Sequence, residues 1–263
     1  MTEEAASFQN GGGLFDLSGK VAVITGSSRG IGRAIAEHFA DHGACVVISS
    51  RKPVPCEEVA AAINARHPGR AIAVPADISS KEDLSHLTER ARQAFGKIDI
   101  LVCNAATNPY FGSQLEIEDA VFRKVLDNNI VSNHWLIQLV ASEMRERREG
   151  AIIFVSSIGG FRGTAVGGAY TISKAADMQL ARNYAHELGP DNIRVNCIAP
   201  GLVRTDFARV LWMGPYGEER AATSALRRLG EPADVAGIAV YLASKAGAWT
   251  TGQTIIVDGG ALC

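Results

Sequence analysis

The chain has 263 residues, a formal net charge of −2 and a sequence pI of about 6.3. Its length allows one large buried core, and its near-neutral charge gives no basis for binding nucleic acid or an anionic membrane surface. No apolar stretch reaches transmembrane length, and the five scattered cysteines favour a reducing compartment over a disulfide framework.

Residues 1–13 are polar, begin with acidic residues and end in three glycines. We expect a flexible tail there, without the basic and apolar regions of a signal peptide, followed by a single domain over residues 14–263. From residue 20 onward, apolar runs typical of strands alternate with segments typical of helices. The predicted strands are 20–25, 44–49, 71–76, 98–103, 151–155, 193–198 and 254–257. The predicted helices are 31–42, 54–67, 81–95, 116–128, 132–147 and 170–188.

This alternation of strands and helices indicates the fold class. Strands separated by helices form right-handed βαβ units, which build a parallel sheet. We therefore predict a single-domain α/β fold of the Rossmann type. It would have a doubly wound, parallel, seven-stranded sheet with helices on both faces.

The first predicted turn is rich in glycine. Gly26, Gly30 and Gly32 lie in the sequence TGSSRGIG, between strand 20–25 and helix 31–42. Such glycines allow a tight turn and let a pyrophosphate approach the backbone amides of a helix N-terminus. The spacing differs from the common GxGxxG, and a glycine-rich turn can also be only a tight connection. Its place in the first βαβ unit predicts dinucleotide binding.

The end of the second predicted strand indicates which dinucleotide binds. NAD-binding proteins place an acidic residue about 20 residues after the glycines, where it bonds the ribose hydroxyls. The corresponding segment, residues 49–52, reads Ser-Ser-Arg-Lys and contains no acid. Arg51 can grip a 2′-phosphate in a bidentate fork, with Ser50 beside it and Arg29 in the glycine turn. We predict NADP(H); the alternative is that both arginines are ordinary surface cations.

Two serines and a Tyr-x3-Lys sequence follow the fifth predicted strand. Ser156 and Ser157 lie at its carboxyl end, where open α/β sheets bind ligands. Tyr170 and Lys174 lie one helical turn apart on one face. At about 4 Å and an effective dielectric near 20, the ammonium favours the phenolate by on the order of 4 kcal/mol, which would lower the pKa of the phenol by roughly three units. The pattern predicts a general acid/base for a C–OH group, although Tyr-x3-Lys also occurs by chance.

With these motifs, the chain resembles the classical short-chain dehydrogenases/reductases over residues 17–260. Each motif is weak alone, but the set is specific to that family. The motifs are the TGxxxGxG turn, Asp77 after the third strand, Cys-Asn-Ala-Ala at 103–106, Asn129, Ser157, Tyr170-x3-Lys174, Pro200-Gly201 and Val-Asp-Gly-Gly at 257–260.

The resemblance implies a catalytic role for four residues. Tyr170 would donate or accept the proton, and Lys174 would lower its pKa and bind the nicotinamide ribose. Ser157 would hold the substrate oxygen. Asn129 would support a water that links Lys174 to solvent, and its neighbour Asn128 fits the family pattern less well.

Other matching residues would contact the cofactor. The resemblance implies that Asp77 bonds the adenine amino group, that the Ile31 amide contacts the pyrophosphate, and that Thr205 bonds the carboxamide or a phosphate. The remaining contacts would come from Gly26, Ser28, Arg29, Gly30, Gly32, Ser50, Arg51, Ile78, Asn104, Ala105, Pro200, Gly201 and Val203.

The chain departs from the family pattern after the fourth strand. The family usually has Asn-Asn-Ala-Gly there, and this chain has Cys-Asn-Ala-Ala, which keeps Asn104. The variable segment between Thr205 and Gly230 is strongly apolar, with residues such as Phe207 and Trp212. It favours a lipophilic pocket or a mobile lid, with a core or subunit contact as the alternative.

Within the family, the chain looks most like NADP-dependent retinol dehydrogenases and carbonyl reductases. Peroxisomal members of that branch end in a serine-arginine/lysine-leucine address, and this chain ends in Ala261-Leu262-Cys263, so we expect a cytoplasmic protein. The resemblance also suggests a homotetramer.

These observations predict a reversible NADP(H)-dependent oxidoreductase that interconverts a ketone or aldehyde and an alcohol, with Tyr170 as general acid/base. The substrate would be a small lipophilic or aromatic carbonyl compound, and no metal, nucleic acid or membrane partner is expected. Two alternatives stay open: a 3-oxoacyl-thioester reductase, and a cofactor-binding regulator with little catalysis.

Overall fold

Seven parallel strands form the centre of the fold, in the order β3-β2-β1-β4-β5-β6-β7. The computed structural model describes residues 13–263, so the predicted tail lies outside the described residues except for Gly13. The strands are β1 Val21–Thr25, β2 Cys45–Ser49, β3 Ala71–Ala73, β4 Ile100–Cys103, β5 Gly150–Val155, β6 Ile193–Pro200 and β7 Thr254–Val257. The predicted doubly wound parallel sheet is confirmed.

The sheet grows in opposite directions from β1. On one side Thr25 of β1 pairs with Ser49 of β2, and on the other Ile24 pairs with Val102 of β4. The crevice between β1 and β4 is therefore the topological switch point of the sheet. Open α/β sheets bind their ligands at this point, beyond the carboxyl ends of the strands.

Helices cover both faces of the sheet. Their bounds are α1 Gly30–Asp41, α2 Pro53–Arg66, α3 Lys81–Phe95, α4 Asp119–Leu126, α5 Ser132–Arg147, α6 Gly168–Leu188, α7 Arg209–Trp212, α8 Pro215–Thr223 and α9 Pro232–Ala243. One apolar core lies between the sheet and α1, α2 and α9, and the other lies between the sheet and α3, α5 and α6. Since both faces are covered, the inner strands read as continuous apolar runs rather than alternating ones. Within residues 13–263, no helix combines the length and the apolar character needed to cross a membrane.

The predicted helices 116–128 and 132–147 are joined in the structure. A π-helical turn, Asp127–Val131, links α4 to α5, and the residues on either side of it keep right-handed helical dihedrals. Turns of this kind are rare and occur frequently at functional sites. This one contains Asn129, which is wholly buried.

Helix α9 has no counterpart among the predicted helices. It begins with Pro232 at its first turn and a capping box formed by Glu231 and Asp234. Both features are signals of a helix start. Its buried residues, Val235 among them, belong to the same core as α1, so α9 closes that face of the sheet next to β5 and β6.

Candidate active site

The glycine turn between β1 and α1 has the backbone that its sequence predicts. Gly26 and Gly30 have φ values of 66° and 57°, which side-chain-bearing residues rarely adopt. A Cβ on Gly32 would lie 2.6 Å from the carbonyl oxygen of Gly26. Helix α1 begins here with no side-chain cap and no acidic residue in its first turn. Its N-terminal amides, those of Gly30, Ile31 and Gly32, therefore suit an anion such as a pyrophosphate.

Asn104 joins this turn to the end of β4. Its side-chain amide donates hydrogen bonds to the carbonyl oxygens of Thr25 at 2.8 Å and Gly26 at 3.1 Å. The backbone amides of Asn104 and Ala105 both donate to Thr25 Oγ1 at 3.1 Å. A Cβ on Gly26 would lie 2.8 Å from Asn104 Nδ2. Asn104 and Ala105 thus set the shape of the crevice at the switch point.

Hydrogen bonds hold the turns after β1 and β2 side by side. The amide of Ser27 donates to the carbonyl of Ser49 at 3.0 Å, and the amide of Ser49 donates to Ser27 Oγ at 2.9 Å. Ser28, Arg29 and Gly30 follow in one turn; in the other, Ser50 is half-buried and Arg51 is exposed. Both predicted phosphate-binding arginines therefore belong to neighbouring turns at one edge of the sheet.

The two arginines differ in their ion pairs. Arg29 Nη1 lies 3.4 Å from Asp206 Oδ2, and both side chains are more than half exposed, at 68% and 63%. No carboxylate lies within ion-pair distance of Arg51 in residues 13–263. The two arginines are therefore not equivalent in the structure: Arg29 already has an ion pair, and Arg51 has none among the described residues.

Asp77 and Ile78 follow β3 at the same edge of the sheet. The amide of Asp77 donates to Asp83 Oδ2 at 2.9 Å, and Ile78 is half-buried against the core. Partial burial would raise the pKa of the Asp77 carboxyl, but hydrogen bonds from Ser79 and the charge of Arg51 hold that pKa below its ordinary value. Asp77 is therefore ionised at neutral pH and able to accept a hydrogen bond from an amino group.

The segment after β6 approaches the crevice from its other side. After Pro200, the amide of Gly201 donates to the carbonyl of Val257 at 2.9 Å. A Cβ on Gly201 would lie 2.8 Å from the Cα of Asp258, so the two segments need glycine at this crossing. The Pro-Gly and Val-Asp-Gly-Gly motifs therefore pack directly against each other.

Thr205 brings this segment to the glycine turn. A Cβ on Gly30 would lie 3.2 Å from Thr205 Cγ2, which places the threonine next to the N-terminus of α1. Val203 is buried and forms a parallel bridge with Gly230. Trp212 Nε1 donates to the carbonyl of Thr205 at 2.7 Å and so ties the short helix α7 to the site.

Ser157 and Tyr170 lie beyond the carboxyl end of β5. Ser157 Oγ accepts a hydrogen bond from the amide of Gly159 at 3.0 Å, which orients the hydroxyl. A hydrogen bond between the Ser157 hydroxyl and the Tyr170 phenol favours the phenolate form of Tyr170. The Phe207 ring lies beside Tyr170, with 5.8 Å between the ring centroids. Two hydroxyls in this arrangement can hold one carbonyl oxygen.

Lys174 is buried beneath Tyr170. Its Nζ lies 5.7 Å from the centroid of the Tyr170 ring and donates hydrogen bonds to the carbonyl of Val155 at 2.8 Å and to Asp177 Oδ2 at 3.0 Å. An ammonium has three donors, so one remains for a ligand. Asp177, wholly buried, also accepts a hydrogen bond from Asn133 Nδ2 at 3.1 Å through its other oxygen.

The expectation that Lys174 brings the pKa of Tyr170 close to neutral is wrong for this structure. Burial of the phenol raises the pKa of Tyr170 above its ordinary value, Lys174 opposes that rise, and Asp177 adds to it. Burial would lower the pKa of Lys174, but the charge of Asp177 and the phenol of Tyr170 raise it above its ordinary value. Sequence reasoning counted the ammonium and left out both the desolvation and the carboxylate.

Asn129 links the loop after β4 to helix α6. Its Oδ1 accepts from the amide of Thr107 at 2.8 Å, and its Nδ2 donates to the Thr107 carbonyl and to Ser173 Oγ, both at 3.0 Å. Ser173 Oγ in turn donates to the carbonyl of Tyr170 at 2.7 Å. The backbone carbonyl of Asn129 accepts from Asn133 Nδ2 at 2.8 Å. The asparagine therefore supports the helix that carries Tyr170.

Large apolar side chains are exposed in the segment after Ser157 and in the segment that contains Phe207. Phe161 follows Ser157 in a short 3₁₀ helix and is 48% exposed, and Phe207 is 45% exposed beside Tyr170. Val210 and Met213 on the adjoining segment are also exposed. Exposed apolar groups clustered at one opening are typical of a binding site for a lipophilic ligand.

Sequence reasoning missed Asp177 and Asn133. Asp177 lies three residues after Lys174 and seven after Tyr170, so all three share one face of α6. That spacing could have identified it. Asn133 lies four residues after Asn129, on the same face of the neighbouring helix. Within the part of the chain that is described, no group of three or more His, Cys, Asp or Glu side chains could hold a metal ion.

Comparisons with known proteins show which family this chain is similar to. A family model described as enoyl-(acyl carrier protein) reductase matches residues 26–261. The human protein named dehydrogenase/reductase SDR family member 4 is 42% identical over 248 residues, which cover 93% of this chain and 88% of that protein.

Solved structures with the same fold contain nicotinamide cofactors. A 7α-hydroxysteroid dehydrogenase in complex with NADH and 7-oxo glycochenodeoxycholic acid has a TM-score of 0.89 and 38% identity, covering 94% of this chain and 96% of that one. A structure from Beutenbergia cavernae, described as an NAD(P)-dependent gluconate 5-dehydrogenase with bound NADP at low occupancy, has a TM-score of 0.88 and 35% identity, covering 95% and 99%.

Proposed function

The chain belongs to the short-chain dehydrogenase/reductase family, and we propose that it is an NADP(H)-dependent enzyme that interconverts a ketone or aldehyde and an alcohol. One observation carries the proposal. Ser157, Tyr170 and the third donor of Lys174 lie together beyond β5, next to a crevice whose glycine turn suits a pyrophosphate.

The chain's own residues account for the proton and for the position of the substrate. When bound, the dinucleotide supplies a hydride to the carbonyl carbon or accepts one from the alcohol carbon. Ser157 holds the substrate oxygen, and Tyr170 donates its proton to that oxygen in reduction and removes a proton in oxidation. The third donor of Lys174 binds a ribose hydroxyl of the cofactor. Asn129 keeps the helix that carries Tyr170 and Lys174 in register with the loop after β4.

The preference for NADP(H) rests on the turn after β2. No carboxylate follows that strand to repel a 2′-phosphate, and Ser50 and Arg51 stand where the ribose would lie, with Arg29 in the neighbouring turn. Asp77 is available for the adenine amino group, and Thr205, next to the N-terminus of α1, for a phosphate or the carboxamide of the cofactor. The related structures contain NADH in one case and NADP in another, so the proposed preference for NADP(H) depends on the two arginines.

The proposed substrate is a lipophilic or aromatic carbonyl compound. The exposed ring of Phe207 beside Tyr170, and that of Phe161 four residues after Ser157, support this class. The related 7α-hydroxysteroid dehydrogenase is complexed with a bulky 7-oxo bile acid, which is also a largely apolar ketone. By this reasoning, the chain resembles a retinol dehydrogenase or carbonyl reductase more than a 3-oxoacyl-thioester reductase.

The experiment measures NADPH oxidation with diketones, aromatic ketones, retinal and an acetoacetyl thioester. We expect turnover with the apolar carbonyl compounds and its loss in Tyr170→Phe, while NADPH binding stays within about twofold of wild type, because the ring remains and only the proton donor is removed. Wild-type turnover in Tyr170→Phe would contradict the assignment of the acid. Tight NADPH binding without turnover on any compound would favour a cofactor-binding regulator.

We also propose a cytoplasmic homotetramer. The cysteines in the described part of the chain are all free thiols, which suits a reducing compartment. The edge strand β7 leaves Ile256 44% exposed, and the neighbouring Trp249 is fully exposed, as surfaces that meet another subunit often are. Light scattering coupled to size-exclusion chromatography would measure the mass in solution.

A further inference from the structure

A buried carboxylate lies against the catalytic lysine and has no place in the mechanism described above. Asp177 Oδ2 accepts a hydrogen bond from Lys174 Nζ at 3.0 Å, and the two side chains are only 1% and 3% exposed. Asp177 Oδ1 accepts from Asn133 Nδ2 at 3.1 Å. Burying a carboxylate costs several kcal/mol unless it is paired and hydrogen-bonded, and here both oxygens have partners.

The same hydrogen bonds reach the π-helical turn. Asn133 Nδ2 donates to the backbone carbonyl of Asn129 at 2.8 Å as well as to Asp177. Asn129, Asn133, Asp177 and Lys174 are therefore joined by consecutive hydrogen bonds between α6 and the helix α5 packed against it. In this structure the link from Lys174 to the Asn129 carbonyl is made of side chains.

We propose that Asp177 is a positioning residue: it holds the Lys174 ammonium beneath Tyr170, and its charge sets the pH range in which the Tyr170–Lys174 pair exchanges a proton. The effect of Asp177 on catalysis, but not its effect on the ionisation of Tyr170, rests on the proposed function. Asp177 has two effects that can be measured separately. Its ion pair fixes the position of Lys174 Nζ, and its negative charge changes the pH at which the Tyr170–Lys174 pair loses a proton.

The sign of the charge effect does not depend on which group gives up the proton. Burial raises the pKa of Asp177, while the Lys174 ammonium and the hydrogen bond from Asn133 oppose that rise. With Asp177 ionised, the cluster of Tyr170 phenol, Lys174 ammonium and Asp177 carboxylate is neutral, and losing a proton leaves a buried negative charge. With asparagine at position 177, the cluster starts with one positive charge, and losing a proton makes it neutral. The first proton of the pair is therefore lost at lower pH in Asp177→Asn. While Lys174 stays charged, that proton comes from the phenol, and a tyrosinate titration reports it.

No other charged group replaces Asp177 within the described residues around the pair. Cys103 at the end of β4 and Cys197 in β6 face the cluster. Burial raises the pKa of Cys103 far above its ordinary value and the pKa of Cys197 to about 12, so both thiols are neutral. The remaining neighbours, the Val155 carbonyl of β5 and the Asn133 amide of α5, do not titrate.

The test follows the ionisation of Tyr170 without any substrate. Tyrosinate absorbance is recorded against pH for the cofactor-free protein, and the same titration of the Tyr170→Phe variant is subtracted. We expect Asp177→Asn to move this ionisation to lower pH by roughly one to two units, as a unit charge about 6 to 12 Å away does at an effective dielectric near 20. Met178→Leu, a buried change next to Asp177 that alters no charge, should leave it in place. An unchanged titration in Asp177→Asn would overturn the proposal.

A measurement on the wild type keeps the proposal testable if Asp177→Asn does not fold. With the cluster neutral, Tyr170 ionises above the ordinary value of 10.0, and ionisation below that value would overturn the proposal. If the enzyme turns over, the pH profile of kcat should shift in Asp177→Asn by the same amount as the titration, and Asp177→Glu should restore the profile. The titration needs no substrate, so it tests the effect of Asp177 even if the protein turns over none of the proposed substrates.

Discussion

The unequal ion pairs of Arg29 and Arg51 lead to a prediction about cofactor preference. A 2′-phosphate has to compete with Asp206 for Arg29, since these two side chains are 3.4 Å apart. No carboxylate in the described residues forms an ion pair with Arg51. We therefore expect Arg51→Ala to weaken NADPH binding more than Arg29→Ala, and neither to change NADH binding.

The size of the difference follows from exposure. A hydrogen bond to a charged group contributes about 1.5–3 kcal/mol, and the exposed Arg51 belongs at the low end of that range, so its loss raises the Kd for NADPH about tenfold. An exposed ion pair is worth about 0.2–1 kcal/mol. If the ion pair with Asp206 offsets about 0.5 kcal/mol of the contact between Arg29 and the phosphate, Arg29→Ala raises the Kd for NADPH about fivefold. By the same reasoning, Asp206→Ala frees Arg29 and should tighten NADPH binding about twofold.

The assay is a fluorescence titration of each purified variant with NADPH and with NADH. Arg66→Ala is the matched control, because Arg66 is also an exposed arginine paired with an aspartate, Asp41, but lies at the far end of α2. Equal losses in the Arg29 and Arg51 variants would refute the argument from Asp206. A parallel loss of NADH affinity would show that Arg51 does not act on the 2′-phosphate.

Two further predictions concern stability. Asn129→Ala removes three hydrogen bonds of a wholly buried side chain and leaves the amide and carbonyl of Thr107 without these partners, so urea unfolding should show a loss of about 2–4 kcal/mol. Asn128→Ala, at a neighbouring side chain that makes no hydrogen bond in the described residues, should cost clearly less, and equal losses would contradict the assignment. The hydrogen bond from Arg228 lowers the pKa of Asp234 to about 2, so the contribution of Asp234 is present above its unfolded value of 3.8 and is lost as pH falls towards 2. Asp234→Asn should therefore lower the stability at pH 7 by about 1 kcal/mol and flatten the acid decline between pH 4 and 2 in thermal unfolding; an unaltered decline would rule out this role.

The sequence predicted the sheet well because both of its faces are covered. A strand buried on both sides is a continuous apolar run, and seven such runs were visible. Helix α9 escaped prediction although its start carries a capping box formed by Glu231 and Asp234. Its residues are apolar almost throughout, so no alternation of polar and apolar faces marked it as a helix. The π-helical turn that joins α4 to α5 was not predicted either, because such a turn has no characteristic sequence pattern.

The site was predictable in its residues but not in its electrostatics. Ser157, Tyr170 and Lys174 follow a strand and a helical spacing, and local rules are enough to place them on one edge of the sheet. The pKa of Tyr170 depends on how deeply the phenol is buried and on a carboxylate seven residues away. Both are consequences of packing, which the spacing of Tyr170 and Lys174 alone does not contain.

The balance of charge in this cluster bears on the direction of catalysis. In the proposed mechanism, reduction of a carbonyl needs Tyr170 with its proton, and oxidation of an alcohol needs the phenol to have lost it. Burial and the charge of Asp177 both keep the pKa of Tyr170 above its ordinary value, so the protonated form is present at neutral pH. A site with this arrangement can reduce without prior loss of a proton, whereas oxidation becomes easier only as the pH rises. In the proposed mechanism, the carboxylate beside Lys174 therefore also keeps Tyr170 in the protonated form that reduction uses.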